Sequence, residues 1–195
     1  MSGNRKRTAV KIIGLAVILT AIYPLAQIFY SDIHAAESQR KLHNEWNKIL
    51  RDNKTSSQAA AKPTRISHGK PFTRMVIPRI NLDAIVLEGT DEDTLRQELE
   101  HIEGTAYPGE IGNVVISGHR VTYNRPFYSL GASKKGNPIY VYVPPQEFTY
   151  YVVGQKVVKP TDVSIADPIP DKTLTLTTCN LRFSARERLI IAKMR

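Results

Sequence analysis

The stretch TLTTC at residues 175–179 ends in Cys179, and the chain of 195 residues holds no second cysteine. A thiol attacks a carbonyl only as thiolate, so it needs a base or a cationic neighbour, and acyl transfer also needs donors for the developing oxyanion. Five histidines are available: His34, His43, His68, His101 and His119. The first three fall in segments read below as helix and linker, where an imidazole is usually a solvated surface group. His119 sits in NVVISGHRVTY, after an apolar β run and a glycine, where a strand hands over to a loop. Rigid strand ends are where catalytic side chains collect. His101 reads instead as a capping or hydrogen-bonding residue.

The cation is sought after the cysteine, in NLRFSARERLIIAKMR. Arg182 and Arg186 lie in a polar loop, and Arg188 begins the last apolar run. Antiparallel neighbours joined by a loop of about eight residues would put Cys179 and Arg188 side by side at one end of a sheet. An arginine there donates to a carbonyl oxygen without surrendering its proton. Alternation places Leu174, Leu176 and Thr178 on one face and Thr175, Thr177 and Cys179 on the other. The thiol is thereby separated from the leucine face that would meet a core, which argues against an inert buried cysteine.

The elements that must hold these groups are short strands. Runs rich in Val, Ile, Thr and Tyr occupy Met75 to Ile80, Ala84 to Leu87, Val114 to Ser117, Ile139 to Val143, Phe148 to Val158, Leu174 to Thr178 and Arg188 to Met194, with glycine, proline and asparagine between them. The pattern predicts a closed all-β domain of seven or eight strands starting near Pro71. One helix is expected within it, Asp91 to Glu100, with Thr90 as N-cap and Asp93 completing a capping box. Its acids Asp91, Glu92 and Asp93 suit a helix N-terminus, and the spacing of an EF-hand calcium loop is absent.

Upstream, Ile12 to Tyr30 runs nineteen residues without a charged side chain, close to the length a helix needs to span a bilayer. Arg5, Lys6, Arg7 and Lys11 precede it without an acid, which keeps the N-terminus cytoplasmic and everything after Tyr30 outside. A secretory signal cleaved at Ala35 and Ala36 is the alternative, but its apolar region usually runs to about 7 to 15 residues, so an uncleaved anchor is expected. Ser31 to Asn53 reads as a polar helix whose stripe of Leu42, Trp46, Ile49 and Leu50 packs on the domain or lies along the membrane. Thr55 to Lys70 reads as a linker. The expected organisation is a cytoplasmic basic tail at 1–11, a transmembrane anchor at 12–30, a helical stalk and linker at 31–70 and the β domain at 71–195.

An exported chain that used cysteine for structure would carry an even number, so the lone Cys179 points to a reactive thiol or an intermolecular bridge. The formal charge of +9 includes the four cations flanking the anchor. The remaining excess fits a solvated surface beside an anionic envelope better than nucleic-acid binding.

TLTTC closing one strand, GHR following another and an arginine nine residues past the cysteine in RLII together resemble the sortases, membrane-anchored cysteine transpeptidases of Gram-positive bacteria. The resemblance covers roughly Phe72 to Arg195. It implies a closed eight-stranded sortase-type β-barrel with one or two short helices, and neither metal nor cofactor. It further implies that Cys179 attacks a threonine carbonyl in a sorting signal, that His119 protonates the leaving amine and later activates the incoming one, and that Arg188 orients the substrate and stabilises the oxyanion. The implied partners are surface proteins with C-terminal sorting signals and a lipid II-like peptidoglycan precursor amine as acceptor.

The stretches EGTAYPGEIGNVVISGHRVTYNRPFYSL and TLTTCNLRFSARERLII are similar to the class E sortases of actinobacteria, which often act as housekeeping enzymes. Pilin-polymerising class C enzymes typically carry an Asp-Pro-aromatic lid motif, and none precedes Phe72. Class E members commonly show His-Tyr before Gly-Thr, a tyrosine linked to alanine over proline in the second position of the signal. Here His101 is followed by Ile102, so Leu-Pro-any-Thr-Gly and Leu-Ala-any-Thr-Gly signals both stay open. Ile102 enters as a candidate substrate-binding residue on that ground, and Tyr123 and Thr178 by adjacency to His119 and Cys179. Two other readings remain beside the resemblance. One is an exported cysteine peptidase or amidase, although the papain-type order is missing because the histidine precedes the cysteine by sixty residues. The other is a non-catalytic, membrane-tethered barrel that binds peptide.

Overall fold

The computed structural model describes residues 7, 11, 14, 17, 18, 20, 22, 23, 26, 37–52, 66–89, 99–121, 125–159, 161–167, 169–179 and 186–194. Eight strands form among them: β1 (Pro71–Ile77), β2 (Leu82–Glu88), β3 (Leu99–His101), β4 (Gly112–Ser117), β5 (Pro138–Val143), β6 (Gln146–Val158), β7 (Lys172–Cys179) and β8 (Glu187–Met194). They close into a barrel in the order β1-β2-β3-β4-β7-β8-β6-β5, which leaves no open sheet edge. The expected closed all-β domain is present, with the larger of the two expected strand counts. All neighbours are antiparallel except β2–β3 and β4–β7, which run parallel. Alternate residues such as Met75, Val86, Ile116, Val141, Leu176 and Ile190 fill the interior.

The run Met75 to Ile80 does not remain a strand throughout. It ends at Ile77, and Pro78–Ile80 form a 3-10 turn. Pro78 has no N–H to give a ladder, and Asn81 at φ 53° takes the left-handed conformation that turns the chain into β2. The expected helix Asp91 to Glu100 also needs correction at its end. Leu99 and Glu100 belong to β3, paired with Val86 and Leu87 of β2, because the buried Leu99 completes the core there. The rest of that segment, 90–98, lies outside the described residues.

Residues 37–52 form a helix, α1. Its stripe packs on the barrel rather than standing apart: Trp46 is buried against Ile85 and Leu87, with Leu42, Ile49, Leu50 and Tyr142 around it. This explains why β2 reads as a continuous apolar run. The barrel interior takes Ala84 and Val86, while α1 covers Ile85 and Leu87 on the outer face.

The anchor expected at 12–30 lies largely outside the described residues, as do His34, the segment 53–65, Tyr123 and Arg182. Among the described residues no helix is long and apolar enough to cross a membrane. Those described between 7 and 26 are all helical and exposed.

On the β1–β2 hairpin Arg74 donates from Nε and Nη2 to both carboxylate oxygens of Asp83, at 2.7 and 2.5 Å. These bonds hold the Asp83 carboxyl below its ordinary value and raise the Arg74 guanidinium. A depressed carboxyl stabilises the fold above the usual Asp range near about pH 4, and that contribution is lost as pH falls through the folded value. Asp83→Asn is therefore expected to cost less than about 1 kcal/mol at neutral pH, because the pair is well exposed. In urea titrations the difference from wild type should vanish toward about pH 2.

Candidate active site

Each residue of β4 from Gly112 to Ser117 pairs with the β7 residue sixty places later, ending at Ser117↔Thr177. His119 stands two residues beyond Ser117, and Cys179 two beyond Thr177. Because the strands are parallel, the chain leaves the barrel at the same end after both, toward His119 in one case and Cys179 in the other. The third group arrives from β8, whose first residues pair with the last of β7.

The strand phase holds as expected. Leu174 and Leu176 enter the core with Val114 and Ile116, and Cys179 on the other face is exposed. The position of Arg188 differs from the expectation by one residue. Cys179 pairs with Glu187, and Arg188 pairs with Thr178, because β8 begins at Glu187. The side-chain period is two, so this shift turns Arg188 to the face opposite the thiol and puts Glu187 on the thiol's own face. Arg188 donates from Nη1 to Gln155 Oε1 at 2.6 Å. Its guanidinium also lies over Gly131, where a Cβ would come within 3.3 Å of Cζ and Nε.

The backbone around His119 is held from both sides. Gly118 N–H donates to the Thr177 carbonyl at 3.1 Å, and the Gly118 carbonyl accepts from Thr178 Oγ1 at 2.7 Å. The His119 carbonyl accepts from Phe127 N–H at 3.1 Å. A side chain at position 118 would meet Leu99 Cδ2 at 2.3 Å and Phe127 Cδ2 at 2.8 Å, so GHR needs its glycine for space. Gly118→Ala is expected to cost about 1–3 kcal/mol by overpacking. It should lower activity further by displacing His119, a loss visible in steady-state kinetics at temperatures where circular dichroism still reports the folded form.

Thr178 is buried, with its hydroxyl spent on the Gly118 carbonyl. Ile102 leaves β3 half-exposed, its N–H donating to the Val115 carbonyl at 2.9 Å. Beside them the outer face of β4 and β7 carries Asn113 and Thr175, joined at 2.9 Å. Asn113 Nδ2 also donates to the Ile165 carbonyl at 2.5 Å. That bond ties the β6–β7 connection, through its turn Val163–Ala166, to the same face.

His101 has the hydrogen-bonding role expected of it, and it is fully buried. Its Nδ1 lies 2.9 Å from Glu88 Oε2. Nε2 donates to the Ala106 carbonyl at 3.1 Å and to Thr105 Oγ1 at 2.9 Å, while the Thr105 hydroxyl proton goes to the Ile102 carbonyl at 2.7 Å. Phe72 stacks on the ring with centroids 4.3 Å apart. Glu88, Gln155, Gly131 and Glu187 escaped the sequence reading. Only Glu187 had a usable signal, a count across the hairpin from Cys179. No group of residues able to hold a metal occurs among the described residues.

An exposed thiol, an imidazole just past the end of a parallel neighbour and a guanidinium at the adjoining strand start are of the kinds that nucleophilic acyl transfer uses. The Sortase domain family matches residues 75–194. The chain belongs to the sortase family. Sortase D of Bacillus subtilis is 36% identical over 124 residues, covering 63% of this chain and 60% of that protein. Sortase SrtE1 of Streptomyces coelicolor is 25% identical over 194 residues, covering 89% of this chain and 52% of that protein. The chain thus spans between about half and three-fifths of the length of these relatives. The structure of sortase E from Streptomyces avermitilis superposes with a TM-score of 0.62 at 33% identity, covering 67% of this chain and 91% of that one. The matched sortase domain takes in β2 to β8 and with them His119, Cys179 and Arg188, and it leaves α1 outside.

Proposed function

We propose that this sortase is a membrane-anchored cysteine transpeptidase. It cleaves a Leu-Pro-any-Thr-Gly or Leu-Ala-any-Thr-Gly sorting signal after threonine and passes the acyl group to a peptidoglycan precursor amine. The observation that carries this reading is the shared β4–β7 register, which ends at Ser117↔Thr177, two residues before His119 on one chain segment and Cys179 on the other. Cys179 Sγ attacks the threonine carbonyl, and Arg188, whose long side chain starts on the opposite face at the same end of the barrel, reaches over the strand end to orient the substrate and steady the oxyanion. His119 gives a proton to the departing amine, then takes one from the acceptor. Ile102 and Thr178 are the candidate substrate contacts among the described residues, Thr178 by holding the Gly118 carbonyl, and Tyr123 is a further candidate on its sequence adjacency to His119 alone. Housekeeping attachment by a class E enzyme is the assignment favoured by the motif stretches and by the sortase E likeness.

The apolar segment 12–30, with its basic flank, anchors the chain once, N-terminus inside and barrel outside. The exposed apolar side chains of Val17, Ile18, Ile22 and Tyr23 support this, since a lipid-facing helix displays such groups. The test is mass spectrometry of the full chain in detergent with either signal peptide and an oligoglycine or diamino acid acceptor. A ligated product cut after threonine and absent in Cys179→Ala is expected. Release of acid alone at every acceptor concentration would replace the proposal with a peptidase.

A further inference from the structure

The residue that faces Cys179 across the β7–β8 ladder is an acid, Glu187, and among the described residues no ion pair is formed with it. Glu187 pairs with Cys179, and directly opposed residues carry their Cβ atoms about 4.5–5.5 Å apart on one face. Its Oε2 accepts a hydrogen bond from Thr177 Oγ1 at 2.9 Å, which keeps the carboxylate over the outer face of β7. Lys156, on the same face by its pairing with Leu189, is exposed. A carboxylate beside the thiol supplies no donor for the developing oxyanion. What it favours is a cation brought to the same place.

We propose that Glu187 binds the protonated amine of the acceptor and delivers it to the thioacyl group on Cys179. This rests on the transpeptidation reading above, and it adds that the acceptor is recognised as a cation. The ammonium held by Glu187 first releases one proton to solvent. The freed nitrogen attacks the thioacyl carbon and forms the C–N bond, the C–S bond breaks, and the second nitrogen proton passes through His119 to the departing sulfur. A nucleophile without charge gains nothing from Glu187.

The experiment uses the full chain in detergent and follows acylation and deacylation separately. Acylation is read as release of the leaving peptide without acceptor. Deacylation is read with a diamino acid and, in parallel, with hydroxylamine, which is uncharged at neutral pH. Glu187→Gln is expected to raise the KM of the diamino acid about tenfold and to change hydroxylamine discharge less than about twofold. Glu187→Asp, which keeps the charge, should restore most of the diamino acid KM. In the wild-type chain, added salt should raise the KM of the diamino acid and not that of hydroxylamine. An unchanged diamino acid KM in Glu187→Gln, or equal losses with both nucleophiles, overturns the proposal. Failure of the wild-type chain to form any Cys179 adduct is a different result and overturns the transpeptidase reading itself.

Discussion

His101→Ala is expected to lower the unfolding free energy by about 3–5 kcal/mol, because it leaves the buried Glu88 carboxylate without its partner. The same change frees the Ala106 carbonyl and the Thr105 hydroxyl from their bonds to Nε2 and removes the ring stacked on Phe72. The pair also sews β2 to β3, since Glu88 and His101 are register partners. Urea denaturation read by circular dichroism checks the magnitude. Replacing both His101 and Glu88 with leucine should cost less than His101→Ala alone, because no polar group of the pair is then left buried without a partner. Equal or greater loss in the double variant would mean that shape rather than charge pairing holds this corner of the barrel.

His119→Ala is expected to lower kcat/KM for transpeptidation by about 10²–10⁴-fold, the usual worth of a positioned general acid. The fold should survive, since His119 is only half-buried at the exit of β4 and the neighbouring bonds from Gly118 and Phe127 belong to the backbone. Thr178→Val should give a smaller loss of the same kind. It leaves the thiol and the imidazole in place and removes only the hydroxyl that holds the Gly118 carbonyl. Comparable melting temperatures together with this graded loss of rate would separate positioning from stability. An His119→Ala enzyme within a few-fold of wild type would remove the imidazole from the reaction.

Much of this arrangement was legible before any coordinates because it is written in local patterns. Val, Ile and Thr runs bounded by turn residues mark strands in any context, and seven of the eight strands carry one. Cys179 and His119 stand at the ends of such runs, and the exposure of Cys179 followed from alternation. β3 was not legible. Three residues make no period, and Leu99 extends only because Val86 flanks it in the barrel, a contact that depends on the whole topology. The Glu88–His101 pair was hidden for the same reason. The Cys179–Arg188 juxtaposition was placed at the correct end of the barrel but one residue out of register. A loop length estimated from sequence does not say where the first pair of a hairpin forms, and with a period of two that single residue decides which side chain faces the thiol. The helix stripe of Trp46 was visible, but the surface it covers, Ile85 and Leu87, looked like core from the sequence.

The most direct test is the intact mass of the full chain in detergent after incubation with a Leu-Pro-any-Thr-Gly or Leu-Ala-any-Thr-Gly peptide and no acceptor. One adduct is expected, equal to the peptide through its threonine, located on Cys179 by proteolytic mapping and discharged by an added amine as the ligated product. Cleavage after threonine that persists in Cys179→Ala, or an adduct mapped to any other residue, would contradict the account.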